Sequence, residues 1–172
     1  MILTTERLVL RELHAGDAAF ILSLLNEPSF IRNIGDRGVR TLEDARGYIA
    51  AGPIASYARH GFGLYLVERR QDAEPIGICG LVKRDELPGP DLGFAFLPAY
   101  WSQGYARESA KAVQRHASGV LRLPRLLAIT NPGNESSIRL LERLGFTFDR
   151  LVRLAADGAE VKLFVHDGDR DG

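Results

Sequence analysis

Between residues 91 and 130 the chain carries an apolar strand pattern, a turn of small residues, a long amphipathic helix pattern and a second strand pattern. Two strands separated by such a helix cannot close as a hairpin. They must lie parallel, with the helix crossing over the sheet. The strands are expected at 91–97 and 125–130. Between them Ala106, Ala110, Val113, Ala117 and Val120 recur at three- and four-residue steps, while Arg107, Lys111, Arg115 and Ser118 fall on other faces. The turn into this helix reads Tyr100-Trp101-Ser102-Gln103-Gly104-Tyr105-Ala106-Arg107-Glu108. The first amides of a helix have no intrahelical acceptor and point outward, where they bind anions. Gly104 and Ala106 are small enough to let an anion approach that backbone. The turn is therefore either an ordinary tight connection or a phosphate site. It lacks the Gly-Lys-Ser/Thr ending of a phosphate loop, and the third glycine and distal acid of a dinucleotide fingerprint.

The rest of the chain supplies strands and helices for one domain spanning 1–172. A strand is expected at Leu8, Val9 and Leu10, with Arg7 and Arg11 outside it. Asp17 is placed to cap a helix carrying Phe20, Ile21, Leu24 and Leu25 that ends near Pro28. Residues 30–40 read as irregular. Thr41 and Asp44 form a capping-box pattern for a second helix, which Pro53 should break or kink. A hairpin follows at 62–68 and 75–82, turning at 71–74, with Gly77 and Gly80 marking close backbone approach. Residues 83–90 form a polar loop. After the crossover, 134–144 reads as a helix with Ile138, Leu141 and Leu144 inward and Gly145 closing it. Strands near 148–154 and 160–165 complete the sheet.

Charge excludes some partners. Lys+Arg 22 balances Asp+Glu 22, so no basic field points to nucleic acid or a membrane surface. No apolar run is long enough to span a bilayer, and no signal peptide is visible, so a cytoplasmic setting is expected. The single Cys79 forms no internal disulfide and no Cys-rich metal site. It sits in a strand pattern, where it reads as buried and inert.

A second constellation is Asn131-Pro132-Gly133-Asn134-Glu135-Ser136-Ser137. Asn134 suits a helix N-cap. Ser137 falls on the face of Leu140, Leu141 and Leu144, where a hydroxyl needs either a back-bond to a preceding carbonyl or a ligand. Of the other candidates, His60 reads as a solvated loop histidine, Glu108 as a capping or packing residue and Trp101 as packing beneath the loop.

In this order, both constellations resemble a Gcn5-related N-acetyltransferase, most nearly the ribosomal-protein N-terminal acetylases. The resemblance runs from Thr5-Glu6-Arg7-Leu8-Val9-Leu10-Arg11 through Gly61-Phe62-Gly63 and Ile76-Gly77-Ile78-Cys79-Gly80-Leu81. It is strongest from Leu97 to Ser109 and closes with Asn134 to Phe146. It implies an α/β (α+β) fold: a mixed, mostly antiparallel sheet of about seven strands with about four helices, splayed between its two central parallel strands. It also implies acetyl transfer from acetyl-CoA to a primary amine, on a protein N-terminus or a small molecule, by a monomer or homodimer without metal. The amides around Gln103, Gly104, Tyr105 and Ala106 would hold the CoA pyrophosphate. Arg107 departs from the small residue usual there, and would oppose the helix dipole unless it met a CoA phosphate. Free backbone groups near Phe96 and Leu97 would pair with the pantetheine arm, Asn134 would bind that arm, and Ser137 would face the sulfur. Asp91 stands where relatives often carry a glutamate and is the candidate base, against a plain reading as a solvated aspartate ending its loop. Leu141 replaces the tyrosine acid of many relatives. A CoA-binding module with little turnover is the alternative reading, and a generic nucleotide-binding domain a further one.

Overall fold

A computed structural model describes residues 2–156 and 158–168. Its strands are β1 (Ile2–Thr4), β2 (Leu8–Glu12), β3 (Leu64–Arg69), β4 (Pro75–Val82), β5 (Asp91–Phe96), β6 (Arg125–Thr130), β7 (Thr147–Arg153) and β8 (Glu160–Asp167). They form one 8-stranded sheet in the order β1-β2-β3-β4-β5-β6-β8-β7. Every neighbouring pair is antiparallel except β5–β6, as the crossover demands. The additional strand is β1, three residues paired to β2 and too short to show an alternating pattern.

The helices are α1 (Ala18–Leu25), α2 (Pro28–Asn33), α3 (Leu42–Ile49), α4 (Ala55–His60), α5 (Tyr105–Gly119) and α6 (Glu135–Arg143). This exceeds the expected four. Helix α2 lies partly in the stretch read as irregular, with Pro28 at its first turn, where proline is tolerated. The regular second helix is interrupted around Pro53, as expected. A π turn, Ala50–Ile54, takes the proline and joins α3 to α4. Asp17 takes the N-cap position of α1 but makes no side-chain cap bond there. His14 caps a short 3-10 turn ahead of it, and the Asp17 carboxylate instead receives the Arg11 fork at 2.9 and 2.8 Å. At the start of α3, Thr41 accepts from the Asp44 amide, but Asp44 reaches back to the Arg40 amide rather than to Thr41 itself.

Two hydrophobic layers sandwich the sheet. On one face Leu10, Val67, Leu81 and Phe96 meet Ala110, Val113 and Ala117 of α5 and Leu141 of α6. On the other, Leu66 and Ile78 meet Ile21, Leu24, Leu25 and Ile49 of α1 and α3. Alternation along β3 sends Tyr65 and Val67 to the first layer and Leu66 to the second, so the strand is apolar throughout. Val120, read as an inward position of α5, lies past its end and is 65% exposed.

Gly80 locks β3 against β4. A Cβ there would sit 2.1 Å from the Gly63 carbonyl oxygen and 2.8 Å from the Leu64 Cα. Both obstacles are backbone, so the strands themselves would have to move. Gly80→Ala is expected to cost about 3 kcal/mol, read as a melting-temperature drop of roughly 6–12 °C by calorimetry.

Candidate active site

The sheet opens between β5 and β6. They pair at one position only, Asp91 with Leu127, where the Leu127 amide donates to the Pro90 carbonyl at 3.0 Å. The Leu97 amide donates to Ile76 at 3.0 Å, which sets the alternation of the β4–β5 ladder. Backbone groups of Gly93 and Ala95 face β4, and those of Phe94 and Phe96 face β6. Beyond Leu127 no strand pairs with them, so the Phe94 and Phe96 amides line the opening.

This corrects the expectation for Leu97. Both of its backbone groups are used: the amide by Ile76, and the carbonyl by the Tyr100 amide at 2.9 Å. The carbonyl's partner is local, since Leu97 is the N-cap of a 3-10 turn, Pro98–Tyr100, that follows β5 directly, whereas the amide continues the ladder to β4. The Phe96 carbonyl is also taken, by the Trp101 indole N–H at 2.8 Å. Trp101 thus clamps the strand end with its indole N–H, while its side chain stays 46% exposed rather than packing beneath the loop.

At the mouth of the opening stands the N-terminus of α5. Gly104 precedes it at φ 82°, a left-handed conformation costly for any side-chain-bearing residue, and supplies no side-chain cap. The first bond of the helix is Glu108 N–H to Gly104 O at 3.0 Å, so the amides of Tyr105, Ala106 and Arg107 point outward unbonded within the helix. Arg107 is exposed and has no ion pair among the described residues.

A brace from the start of the chain holds this loop. Arg7 donates from its backbone amide and Nε to the Glu108 carboxylate at 3.0 and 2.8 Å, and from Nη1 to the Gln103 carbonyl at 3.0 Å. Its guanidinium lies 4.3 Å over the Tyr105 ring, and Thr5 adds a hydroxyl to Glu108. Gln103 closes the loop on itself by donating to Ala99 at 3.0 Å. Burial alone would push the Glu108 carboxyl up, but the hydrogen bonds from Thr5 and Arg7 hold it below its ordinary value. Glu108 is therefore structural, in line with the sequence, whereas Arg7 was not foreseen.

The second constellation lies at the start of α6. Asn134 accepts from the Ser137 amide at 3.4 Å, the cap expected of it. Ser109 and Ser118 both back-bond to carbonyls of their own helix. The half-buried Ser137 hydroxyl makes no hydrogen bond among the described residues, so its back-bonded alternative is not realised. Leu141 is buried one turn further on.

Asp91 is not a solvated loop end. It is 1% exposed, at the apex of the opening, on the face of Ala95 and of helices α1–α3. Burial pushes its carboxyl up to about 6, against the opposing pull of Arg84, whose Nε lies 3.1 Å from Oδ1. A carboxyl so placed changes protonation near neutrality, the condition under which a general base works. Arg84 is the partner that the sequence did not single out. Nothing in its polar loop showed that 83–90 would fold back onto β5, where Lys83 latches it to the Arg84 and Leu87 carbonyls. Cys79 is fully buried, its thiol pushed up to about 12 by burial, and is inert as expected. His60 is exposed and stacks on Phe62.

An opened parallel pair with an anion-ready helix start at its mouth and a buried carboxyl at its apex matches the acyltransferase frame that the sequence resemblance implies. Residues 7–147 match the family model of the acetyltransferase (GNAT) domain. The chain belongs to this family and is an acetyl-CoA-dependent N-acetyltransferase. It is 28% identical over 153 residues to the N-acetyltransferase YoaA of Bacillus subtilis, covering 88% of this chain and 86% of that one. It is 27% identical to an acetyltransferase of Agrobacterium tumefaciens, covering 96% and 94% of the two chains with a TM-score of 0.82. The fold also matches RimL, a ribosomal L7/L12 alpha-N-protein acetyltransferase solved with CoA, at 18% identity, 99% and 100% coverage and a TM-score of 0.85.

Glu108→Gln keeps the shape of the brace and removes its charge. It should lower stability at pH 7 by about 1–2 kcal/mol, because three donors lose a charged acceptor. The folded carboxyl is held low, so the stabilisation is present above the unfolded pKa and lost as pH falls through the folded one. The melting difference between wild type and variant should therefore close below roughly pH 4.

Proposed function

We propose that this single domain, 1–172, moves the acetyl group of acetyl-CoA to a primary amine by direct attack. The observation that carries the reading is the one-pair junction of β5 and β6, which leaves a gap between the strands from the α5 loop to Asp91 that we read as the substrate channel. Five residue steps separate Asp91 from Phe96, roughly 17 Å of strand, room for an extended arm rather than a compact ligand. The outward amides at Gln103, Gly104, Tyr105 and Ala106 hold the CoA pyrophosphate, with Arg107 offering charge to a phosphate. The Phe94 and Phe96 amides and the Asn134 side chain take the polar groups of the pantetheine arm.

Donor and acceptor then enter from opposite faces. The phosphate loop and Ser137 belong to the α5–α6 face, and Asp91 to the α1–α3 face. Asp91 takes the proton that the amine nitrogen loses as it bonds the acetyl carbon, directly or through one water. The Ser137 hydroxyl donates a hydrogen bond to the sulfur as the carbon–sulfur bond breaks. With Leu141 where many relatives hold a tyrosine, stabilising the leaving thiolate falls to a hydrogen bond rather than to a strong acid. The lone buried thiol suits a reducing cytoplasm.

Calorimetry with CoA tests the donor site. Wild type should bind, and Gly104→Glu should weaken binding by roughly tenfold or more, by placing bulk and negative charge at the anion site. Unchanged affinity removes the loop from the site.

The pH profile tests the base. Asp91 acts when ionised, so kcat/KM should fall as pH drops through about 6. Asp91→Asn should lose that limb and roughly a hundredfold in rate. Arg84→Ala should move the limb upward, since Arg84 favours the ionised carboxylate. A profile that keeps its limb in Asp91→Asn assigns the proton transfer elsewhere. Ser137→Ala should lower kcat while CoA affinity holds.

A further inference from the structure

The acceptor side of the channel has an electrostatic character that bears on which amine enters. Helix α2 and the 34–40 loop arch over this face. The Asn131 side chain, just past β6, ties them down by donating to the Asn33 carbonyl at 2.7 Å. Arg84 of the 83–90 loop meets Asp91 directly through Nε at 3.1 Å, Lys83 beside it adds positive charge there, and Tyr48 of α3 stands within electrostatic reach of both Arg84 and Arg37 of the loop. Burial raises the Tyr48 hydroxyl above its ordinary value, and the only charges acting on it are Arg37 and Arg84, both opposing that rise. The acids nearby are committed or turned away. Asp36 holds Arg40 at 2.5 Å, and Asp85 and Glu86 are exposed. Arg37 has no ion pair among the described residues. Arg84 uses only Nε on Asp91, and its two Nη groups make no hydrogen bond among the described residues. A guanidinium carries five donors in a rigid fork matched to a carboxylate.

We propose that the acceptor is a primary amine carrying a carboxylate within a few bonds of its nitrogen, bound by the free Nη donors of Arg84, the Arg37 guanidinium and the Tyr48 hydroxyl. The inference rests on the acetyltransferase reading above. Arg84 then does two things. Its Nε steadies Asp91, and its outer nitrogens draw the acceptor's carboxylate beside it, which presents the amine to the base. A polyamine meets the reverse arrangement, since its additional ammonium groups would face two arginines with Asp91 as the one acid. A free amino acid and a protein N-terminus with an acidic side chain share the required chemistry.

A matched acceptor panel at constant ionic strength separates these. It comprises free amino acids and their α-amides, short peptides beginning Ser-Asp or Ser-Lys, and spermidine. Carboxylate-bearing acceptors should show kcat/KM at least about tenfold above their amidated or basic counterparts. Arg37→Glu, at an exposed loop position, should erase that preference while CoA affinity by calorimetry stays unchanged. Amino acids ahead of the Ser-Asp peptide identify a small-molecule acceptor, and the reverse order a protein N-terminus. Equal use of acids and amides, or a preference for spermidine, overturns the proposal. CoA binding with a spermidine preference overturns this proposal alone. A wild type that binds no CoA overturns the parent reading with it.

Discussion

The hydrogen bond from the Leu127 amide to the Pro90 carbonyl marks the last point at which β5 and β6 touch. On one side of it the sheet is continuous and its backbone is satisfied within the ladder. On the other, two strands of the same sheet diverge with amides facing the gap. Such groups are expensive to bury and must find partners. A continuous parallel ladder would have consumed them, so the site exists because pairing stops where it does. The antiparallel ladders on either side can hold the gap open because each is complete: β4 pairs along the whole of β5, and β8 along the whole of β6.

That geometry divides the chemistry by face. The α5–α6 layer carries the groups proposed for phosphate and sulfur, and the α1–α3 layer carries Asp91, the proposed base. The crossover connection does this without any long-range design, because a right-handed crossover puts its helix on one side of the sheet. The N-terminal helices are left to cover the other. Asp91 gains its raised carboxyl from this enclosure, and Arg84 keeps it from rising further.

How much of this could be read from the residues depended on how local the cause was. The crossover, the glycine at the helix start and the Asn134 cap are short-range effects, and each stands where its residues suggested. The hairpin glycines were legible as close approach, though not that Gly80 faces the Gly63 carbonyl. What escaped was non-local or a matter of small backbone adjustments. Pro53 was legible as an interruption, but not that a π turn would absorb it, which cannot be foreseen from a single proline. Leu97 looked available because the 3-10 turn that takes its carbonyl is only three residues long, and its amide is taken by Ile76 one residue past the β5 ladder. The partners of Asp91 and Glu108 come from a folded-back loop and from the β1–β2 connection about a hundred residues away, and no periodicity announces either.

The Arg7–Glu108 contact joins residues 101 apart in the chain. It therefore closes a long loop, at a high cost in loop-closure entropy. The loop it braces is a local turn that α5 could begin to form alone, but its position relative to β5 is set only once β2 has docked along β3 and brought Arg7 to the edge of the helix. A chain stalled with its sheet incomplete at that edge would hold the sequence of the donor site without its shape. Under the proposed reading, competence to hold the donor is thus tied to completion of the fold.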